Sequence, residues 1–512
     1  MTKNDITITE IAAFCKKTGL IFPNSEIYGG FSGFFDYGPR GVEIKNAIKS
    51  LWWNTFVKKR QDVVGIDGTT ITHPKVWKAS GHVDSFTDPL LDCKKCKSRI
   101  RGDHIIEDDL KIPTDGMSLD EINKLVKKHK ITCPKCSGEL TKARNYNLMF
   151  KTNVGPIDND ESTAYLRPET AQVIFADFKA VTDSSRLKLP FGIAQIGKAY
   201  RNEIAPRDFL FRSREFEQME IEYFVHPKDV KKCPLLTKKI LSKKILILTE
   251  KNQLENMKAK EISIKDALKD KIFPNPWLAY FIYQTHKWFL DLGIKEKNLR
   301  LRQHRKDELA HYAKGCVDID YKFPFGWKEI HGNADRGTYD LDQHSKYAGK
   351  PQQIFDEETK EKITPHVASE PSQGLDRAFL ALVIDAYEQP EKDHTILKIN
   401  PRLAPIQVAV FPLVKKDGIK EKAEEIYDML NEQFITIIDI AGSVGKRYYR
   451  MDEIGTPICI TVDYDTKEDN TVTIRDRDTQ KQVRCKIDIL KETIKKLFSK
   501  EITIKDVGTI VK

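Results

Sequence analysis

Apolar residues recur along the chain with two periods, and each predicts a different element. In Val42–Lys59, Ile44, Ile48, Leu51, Trp52 and Phe56 fall at helical spacing, which predicts an amphipathic helix with an aromatic stripe. Such a stripe packs into the chain's own core or faces a partner subunit. Phe191–Tyr200 and Ser213–Phe224 have the alternating look of short strands, joined by a polar loop containing Pro206. Helices are expected near Leu119–Lys130 and over Trp277–Leu292, and a strand near Lys328–His331. Pro371–Tyr387 reads as a turn feeding a strongly apolar helix, and Lys228–Lys271 as a Lys-rich insertion of helical propensity. Near Lys398–Ala404 the composition shifts. Ile406–Val414 then opens a strand-then-helix pattern that continues to the C-terminus and suggests a compact α/β domain.

Composition narrows the class. A chain of 512 residues, 40% hydrophobic and 31% charged, fits a globular protein with enough length for several cores. No apolar run approaches the ~18 residues of a membrane span, and MTKNDITITEIAAFCKK lacks the apolar segment of a secretory signal. The net charge of +10 is uneven. Residues 226–272 hold 13 Lys against 6 acidic residues, whereas 20 basic and 19 acidic residues nearly balance from Asn400 onward. A modest basic excess suits a polyanion such as RNA, although Lys-rich helices also serve solubility alone.

Nine cysteines include two C-x-x-C pairs, Cys93–Cys96 and Cys133–Cys136; Cys15, Cys233, Cys316, Cys459 and Cys485 are scattered. Each short loop lets two thiolates converge on one ion, so the pairs read as a tetrahedral Zn²⁺ site rather than as disulfides. The bland alternative is four unligated thiols. Either way a reducing, cytoplasmic compartment is expected.

The stretch Ala199–Phe224 interleaves Arg201, Arg207, Arg212 and Arg214 with Glu203, Glu215, Glu217, Glu220 and Glu222, and with aromatic and aliphatic residues. On a strand, Arg214, Phe216, Gln218, Glu220 and Glu222 share one face. Guanidinium forks match phosphate oxygens, a ring can stack on a purine, and carboxylates can hold an ammonium group or Mg²⁺. Together they describe a pocket for ATP and a small amine-bearing substrate. A surface hairpin laced with ion pairs, each worth ~0–1 kcal/mol, is the competing reading.

Further residues decide between them. Arg201-x-Glu203 followed by Arg212-x-x-x-Phe216-x-x-x-Glu220 resembles motif 2 of class II aminoacyl-tRNA synthetases. Gly374-Leu-Asp-Arg377 opening an apolar helix resembles motif 3, and the helix after Gly38-Pro39-Arg40-Gly41 resembles motif 1. YGGFSGFFDYGPRG (28–41), HPKVWKASGHVDSFTDPL (73–90), YLRPETAQVIFADFK (165–179), LAHYAKGCVDIDYKFPFGWKEIHG (309–332), HVASEPSQGLDR (366–377) and YYRMDEIGTP (448–457) are similar to the dimeric glycyl-tRNA synthetases. The resemblance spans nearly the whole chain. Segment 228–271 has no counterpart of fixed length, and at 331–336 only the Gly-x-Ala-x-Arg frame matches.

The resemblance implies an α+β fold: an antiparallel-sheet catalytic core at 1–92, 146–225 and 276–398, flanked by helices. It implies a zinc-type module at 93–145, a Lys-rich insertion at 226–275 and an α/β anticodon-binding domain at 399–512. The implied activity is ATP-dependent formation of glycyl-adenylate and transfer of glycine to tRNA(Gly), by a homodimer. Arg201, Glu203 and Arg377 are the implied catalytic residues. Arg201 would contact the α-phosphate, Glu203 the adenine edge or Arg201 itself, and Arg212 the terminal phosphates. Phe216 would stack on adenine, Arg377 would cover its other face or the γ-phosphate, and Glu329 would ligate Mg²⁺. Asn202, Phe211, Ser213, Arg214 and Glu215 would complete the ATP site on motif 2, with Ile330 beside Glu329 and Gly374, Leu375 and Asp376 on motif 3.

For glycine, the family pattern puts Glu169, Glu220 and Glu370 around the ammonium, Ser372 across the space a Cβ would need, and Arg101 near the carboxylate. Phe216, Glu217, Gln218 and Met219 on one side, and Pro371, Gln373 and Gly374 on the other, would line that subsite. Arg447, Arg450, Asp452 and Glu453 would meet the anticodon. Two rivals stand beside this reading: a synthetase for another small amino acid, and a catalytically silent binding subunit on the same scaffold. EPSQG and RPETAQ weigh against the first, and retention of Arg201, Arg212 and Arg377 against the second.

Overall fold

A computed structural model describes residues 6–511 apart from 113, 115, 116, 157, 158, 160, 161, 311, 358 and 392. His311 of the quoted stretch 309–332, and the first five residues of the N-terminal reading, lie outside the described residues. The first long helix, α1 (Pro39–Trp53), starts with Pro at its first turn and continues as a π-helical turn over Asn54–Lys58. Its start is seated by Gly41, where a Cβ would lie 1.9 Å from the Leu20 carbonyl oxygen. The aromatic stripe serves the chain's own core: Ile44, Ile48, Trp52 and Phe56 are all buried there.

Nine strands form the central sheet. In chain order they are β1 (Val63–Gly65), β2 (Phe191–Tyr200), β3 (Glu215–Val225), β4 (Lys244–Leu248), β5 (Lys260–Ser263), β6 (Leu299–Gln303), β7 (Gly315–Phe323), β8 (Gly326–Asp335) and β9 (His366–Gly374). Their spatial order is β5-β4-β6-β7-β8-β9-β3-β2-β1, antiparallel except at β4/β6 and β2/β1. Strand β3 shows why the sequence alternates. Met219, Ile221 and Tyr223 enter the apolar core, where Tyr223 meets Phe281 at a ring separation of 4.7 Å. The other face carries Phe216, Gln218, Glu220 and Glu222.

Two helices back the core face. Helix α2 (Pro276–Asp291) is capped by Asn275, whose side chain accepts from the Leu278 N–H at 2.9 Å, and α3 (Leu375–Ala386) is almost wholly buried. The expected turn at 371–374 is strand instead. Hydrogen bonding to β3 on one side and β8 on the other overrides the local Pro and Gly signals.

The Lys-rich segment also departs from expectation. It holds only short helices, while β4 and β5 extend the central sheet. Ile245 and Ile247 point inward, alternating with half-buried Leu246 and Leu248 just after the exposed Lys243 and Lys244, a strand signal masked by the charge run.

Within 93–145, helices Gly102–Leu110 and Leu119–Lys128 cover a three-stranded sheet of Thr87–Asp92, Arg99–Arg101 and Arg144–Asn147. From Val408 onward a five-stranded sheet with a separate apolar core forms the C-terminal α/β unit. Among the described residues no helix is long and apolar enough to cross a membrane.

Candidate active site

Strands β3, β8 and β9 and the start of α3 enclose a cleft with about 620 Å³ of open space, lined by Arg201, Glu203, Phe211, Arg212, Phe216, Gln218, Glu329, Ser372, Asp376 and Arg377. One wall is cationic. The Arg201 guanidinium lies 5.3 Å from the Phe216 ring centroid, and its Nε donates to the Pro168 carbonyl at 3.1 Å. Arg377 lies 4.4 Å over Phe211, donates to the Phe211 and Glu329 carbonyls, and meets the Glu329 carboxylate at 3.2 Å. Arg212 donates to His104 Nε2 at 2.6 Å. Burial, then the nearby Arg101 charge, makes its charged form harder to hold. An anion placed here would relieve that crowding.

Beyond Gln218 and Ser372 the same two strands carry buried acids. Carboxylate oxygens of Glu220, Glu222 and Glu370 lie within 4.8 Å of one another, all buried. Glu370 is held by Arg336 Nη1 at 2.6 Å, Glu220 accepts from Thr170 Oγ1, and Gln218 Nε2 donates to Ser372 Oγ at 3.2 Å. Neither oxygen of Glu222 has a hydrogen-bond partner among the described residues. Burial, then the Glu370 charge, pushes the Glu222 carboxyl well up; burial, against the opposing Arg336 charge, takes Glu370 to about 8. Glu222 is thus a buried carboxyl without a partner, crowded by two further acids that each have one.

Glu169 differs: it meets His82 at 3.3 Å and accepts from Gln172 at 3.1 Å. Burial raises its pKa, but His82 and Arg336 outweigh that and hold the carboxyl below its usual range. Its loop is fixed by buried Arg167, which donates to the Lys198 and Gly68 carbonyls and packs where a Gly197 Cβ would stand, 2.0 Å from Nη2.

Several residues expected in the site contribute backbone at most. Glu217 points to the opposite face of β3 and pairs with Lys45 at 2.8 Å and Lys49 at 2.5 Å on α1; its N–H donates to Asp376 at 2.7 Å. Met219, Ile330 and Leu375 belong to the apolar core, and Gln373 lies opposite Met219 and His331. Period-two alternation sends the strand side chains among them away from the cleft, and Leu375 is buried at the start of α3.

Arg214 clamps the Glu203 carbonyl and Ser32, Glu215 pairs with Lys198, Ser213 Oγ donates to the Leu210 carbonyl at 3.4 Å, and the Asn202 N–H donates to Leu148. Arg101 meets Asp88 and Asp103 at 2.8 Å and Glu203 at 3.7 Å, so it stands on the cationic wall rather than among the three clustered carboxylates. Glu222 and His104 are the additions. Alternation from Glu220 marks the first, and no local pattern marks the second.

The four paired cysteines converge. Their sulfurs lie within 4.8 Å of one another, with Cys93–Cys136 at 3.5 Å and Cys96–Cys133 at 3.6 Å. Zn–S bonds of ~2.3 Å set tetrahedral S···S edges near ~3.8 Å, so the donor set fits Zn²⁺. A Cβ at Gly138 would lie 3.0 Å from Cys93 Sγ, so the second knuckle turn leaves no space for a side chain.

In the C-terminal unit, the helix Val444–Ile454 divides the expected anticodon cluster. Arg447 is buried on the Pro412 and Gly442 carbonyls, and Asp452 is buried between Arg475 and His394. Glu453 meets Lys17, the last residue of an N-terminal helix over Ile8–Lys17, at 2.5 Å. Only Arg450, paired with Asp439, and Tyr449, stacked on His394 at 4.1 Å, present exposed side chains. The helical period turns Arg447, Tyr448, Met451 and Asp452 inward, which the cluster reading did not anticipate.

Comparison with known proteins adds three observations. Residues 407–497 match a family model described as an anticodon binding domain. Similar relatives include glycine–tRNA ligases of Treponema denticola (43% identical over 493 residues, 94% of this chain and 95% of that one) and Clostridium tetani (46% over 495 residues, 94% and 97%). A crystal structure of prolyl-tRNA synthetase from Cryptosporidium parvum, complexed with halofuginone and AMPPNP, superimposes with a TM-score of 0.58 at 14% identity. The match covers 96% of this chain and 76% of that one.

Proposed function

Because the chain belongs to the glycine–tRNA ligase family, and so activates glycine with ATP and transfers it to tRNA(Gly), we propose that the cleft between β3, β8 and β9 is where both steps occur. One observation carries this reading: guanidinium groups wall a cleft lined by Gln218 and Ser372, and the same strands, β3 and β9, carry the buried carboxyl cluster Glu220, Glu222 and Glu370.

The nucleotide lies against Phe216 with its phosphates on Arg201, Arg212 and Arg377. Glycine sits with its ammonium among Glu220, Glu370 and Glu222, and Glu169 adds negative potential from behind. The glycine carboxylate attacks the α-phosphorus in line, and the bond to the bridging oxygen breaks to release pyrophosphate. Arg201 stabilises the charge that builds on the α-phosphoryl oxygens. Glu203 orients the cationic wall through Arg101. A 3′-terminal ribose hydroxyl of tRNA then attacks the glycyl carbonyl and releases AMP. Mg²⁺, when bound with ATP at Glu329, supplies further charge neutralisation. Ser372, tethered by Gln218, stands where a larger side chain would project, so selection works by exclusion.

Zn²⁺ at Cys93, Cys96, Cys133 and Cys136 would hold the 93–145 module together. The homodimer is supported by Ile27, Tyr28 and Phe31, whose large apolar side chains are exposed on one loop. Arg450 and Tyr449 are the favoured anticodon contacts. Abundant reduced thiols fit a cytoplasmic setting. ATP–pyrophosphate exchange across a panel of small amino acids tests the reading. Exchange with glycine alone supports it, and equal exchange with alanine or serine refutes it.

A further inference from the structure

The helix Gly102–Leu110 belongs to the cysteine-bearing module, yet it delivers His104 to the cationic wall. Arg212 Nη1 donates to His104 Nε2 at 2.6 Å, and His104 is buried. A guanidinium offers only donors, so the Nε2 it meets is a bare lone pair and the ring is neutral, with its proton on Nδ1. The surroundings enforce that state. Burial, followed by the charges of Arg101, Arg212, Arg207 and Lys328, pushes the imidazole down to about 2. Among the described residues Arg212 makes no ion pair with a carboxylate, whereas its neighbour Arg101 makes three and Arg377 one.

We infer that His104 is a positioning residue for ATP: it orients the Arg212 fork through a neutral acceptor and leaves the full guanidinium charge for the terminal phosphates. This rests on the proposed phosphate role of Arg212 and deepens it. A carboxylate in the same place would aim the fork but cancel its charge, and an apolar side chain would keep the charge but free the rotamers. Imidazole held neutral avoids both losses. The main chain that carries the ring is anchored: the His104 backbone N–H donates to Asp103 Oδ1 at 2.9 Å, Asp103 pairs with Arg101, and Arg101 with Asp88 on the strand Thr87–Asp92. The cysteine module is thereby tied to adenylate formation.

The test is ATP–pyrophosphate exchange by the full-length enzyme, varying ATP and glycine separately, for His104→Gln, His104→Asn, His104→Leu and Arg212→Leu. Glutamine sets an amide oxygen near the Nε2 position, whereas asparagine falls short of it. The expected result is a rise of about tenfold in KM for ATP for the Asn and Leu variants, with KM for glycine within about twofold. Gln should stay within about threefold of wild type, and His104→Leu should add nothing on top of Arg212→Leu.

Equal effects of Gln and Asn, or multiplying effects in the double variant, overturn the inference. The Gln–Asn comparison stands even if the Leu variant does not fold. Unchanged KM for ATP in Arg212→Leu defeats the phosphate role itself, and the inference with it. A defect in Arg212→Leu with none in His104→Asn defeats the inference alone.

Discussion

Arg336 Nη1 lies 2.6 Å from a Glu370 carboxylate oxygen, and the same guanidinium meets Asp340 at 2.7 Å, all within the protein interior. Arg336 is thus the resident counter-ion of a cluster holding more acids than it can neutralise. Breaking such a buried pair leaves uncompensated charge, at a cost of ~3–5 kcal/mol. Arg336→Leu should lower the thermal midpoint markedly, and saturating glycine should recover part of the loss. A midpoint within a degree of wild type would contradict this role.

Glu222→Gln removes a buried carboxylate that the free protein leaves unpaired. The expected outcome is unchanged or higher thermal stability together with a KM for glycine raised about tenfold or more, and no change in KM for ATP. Stability falling while glycine kinetics stay intact would assign Glu222 to folding instead.

The raised carboxyls fix a pH signature. Glu370 titrates near 8 in the folded chain, against an ordinary value of 4.5. The folded state therefore holds a proton that the unfolded chain has lost between those values. Its stabilising contribution is complete below about 4.5 and drains away as pH rises to about 8. Binding of the glycine ammonium requires the ionised form, so glycine affinity should rise over that same window, with proton release on binding. Calorimetry in buffers of different ionisation enthalpy measures the release; proton uptake would exclude the assignment.

Arg201→Ala should reduce the exchange rate ~10²–10³-fold, as for loss of a donor to developing negative charge, while glycine protection against thermal unfolding persists. Near-normal exchange would remove Arg201 from the chemistry.

Metal analysis should find one Zn²⁺ per chain. Chelation should expose the four thiols to a colorimetric thiol reagent and raise KM for ATP, because the module that loses its clasp also carries His104 and Arg101. Full activity in metal-free protein would separate the cysteine cluster from catalysis.

The legible parts of the fold were those with an undisturbed period. Strands β2 (Phe191–Tyr200) and β3 (Glu215–Val225) emerge within about two residues of their expected ends, and both are buried almost throughout, with residue type rather than burial alternating along β3. Strand β4 was hidden because only Ile245 and Ile247 are buried, while the lysines around them carry the look of a solvated helix. The carboxylate face of β3 could be read from spacing, but Glu217, one residue out of phase, could not be separated from it by residue type. His104 was out of reach: its partner lies 108 positions away, and only the folded chain shows that contact.

Strand β3 has a last consequence, for the kinds of genetic change the gene tolerates. Its two faces serve substrate and core in strict alternation. One codon inserted ahead of Gln218 would exchange them, driving Glu220 and Glu222 among the aromatic rings of α2 and turning Met219 and Ile221 toward the nucleotide. Point changes can be absorbed along this segment, but indels cannot. Length polymorphism among natural variants should therefore stop at the borders of residues 215–225.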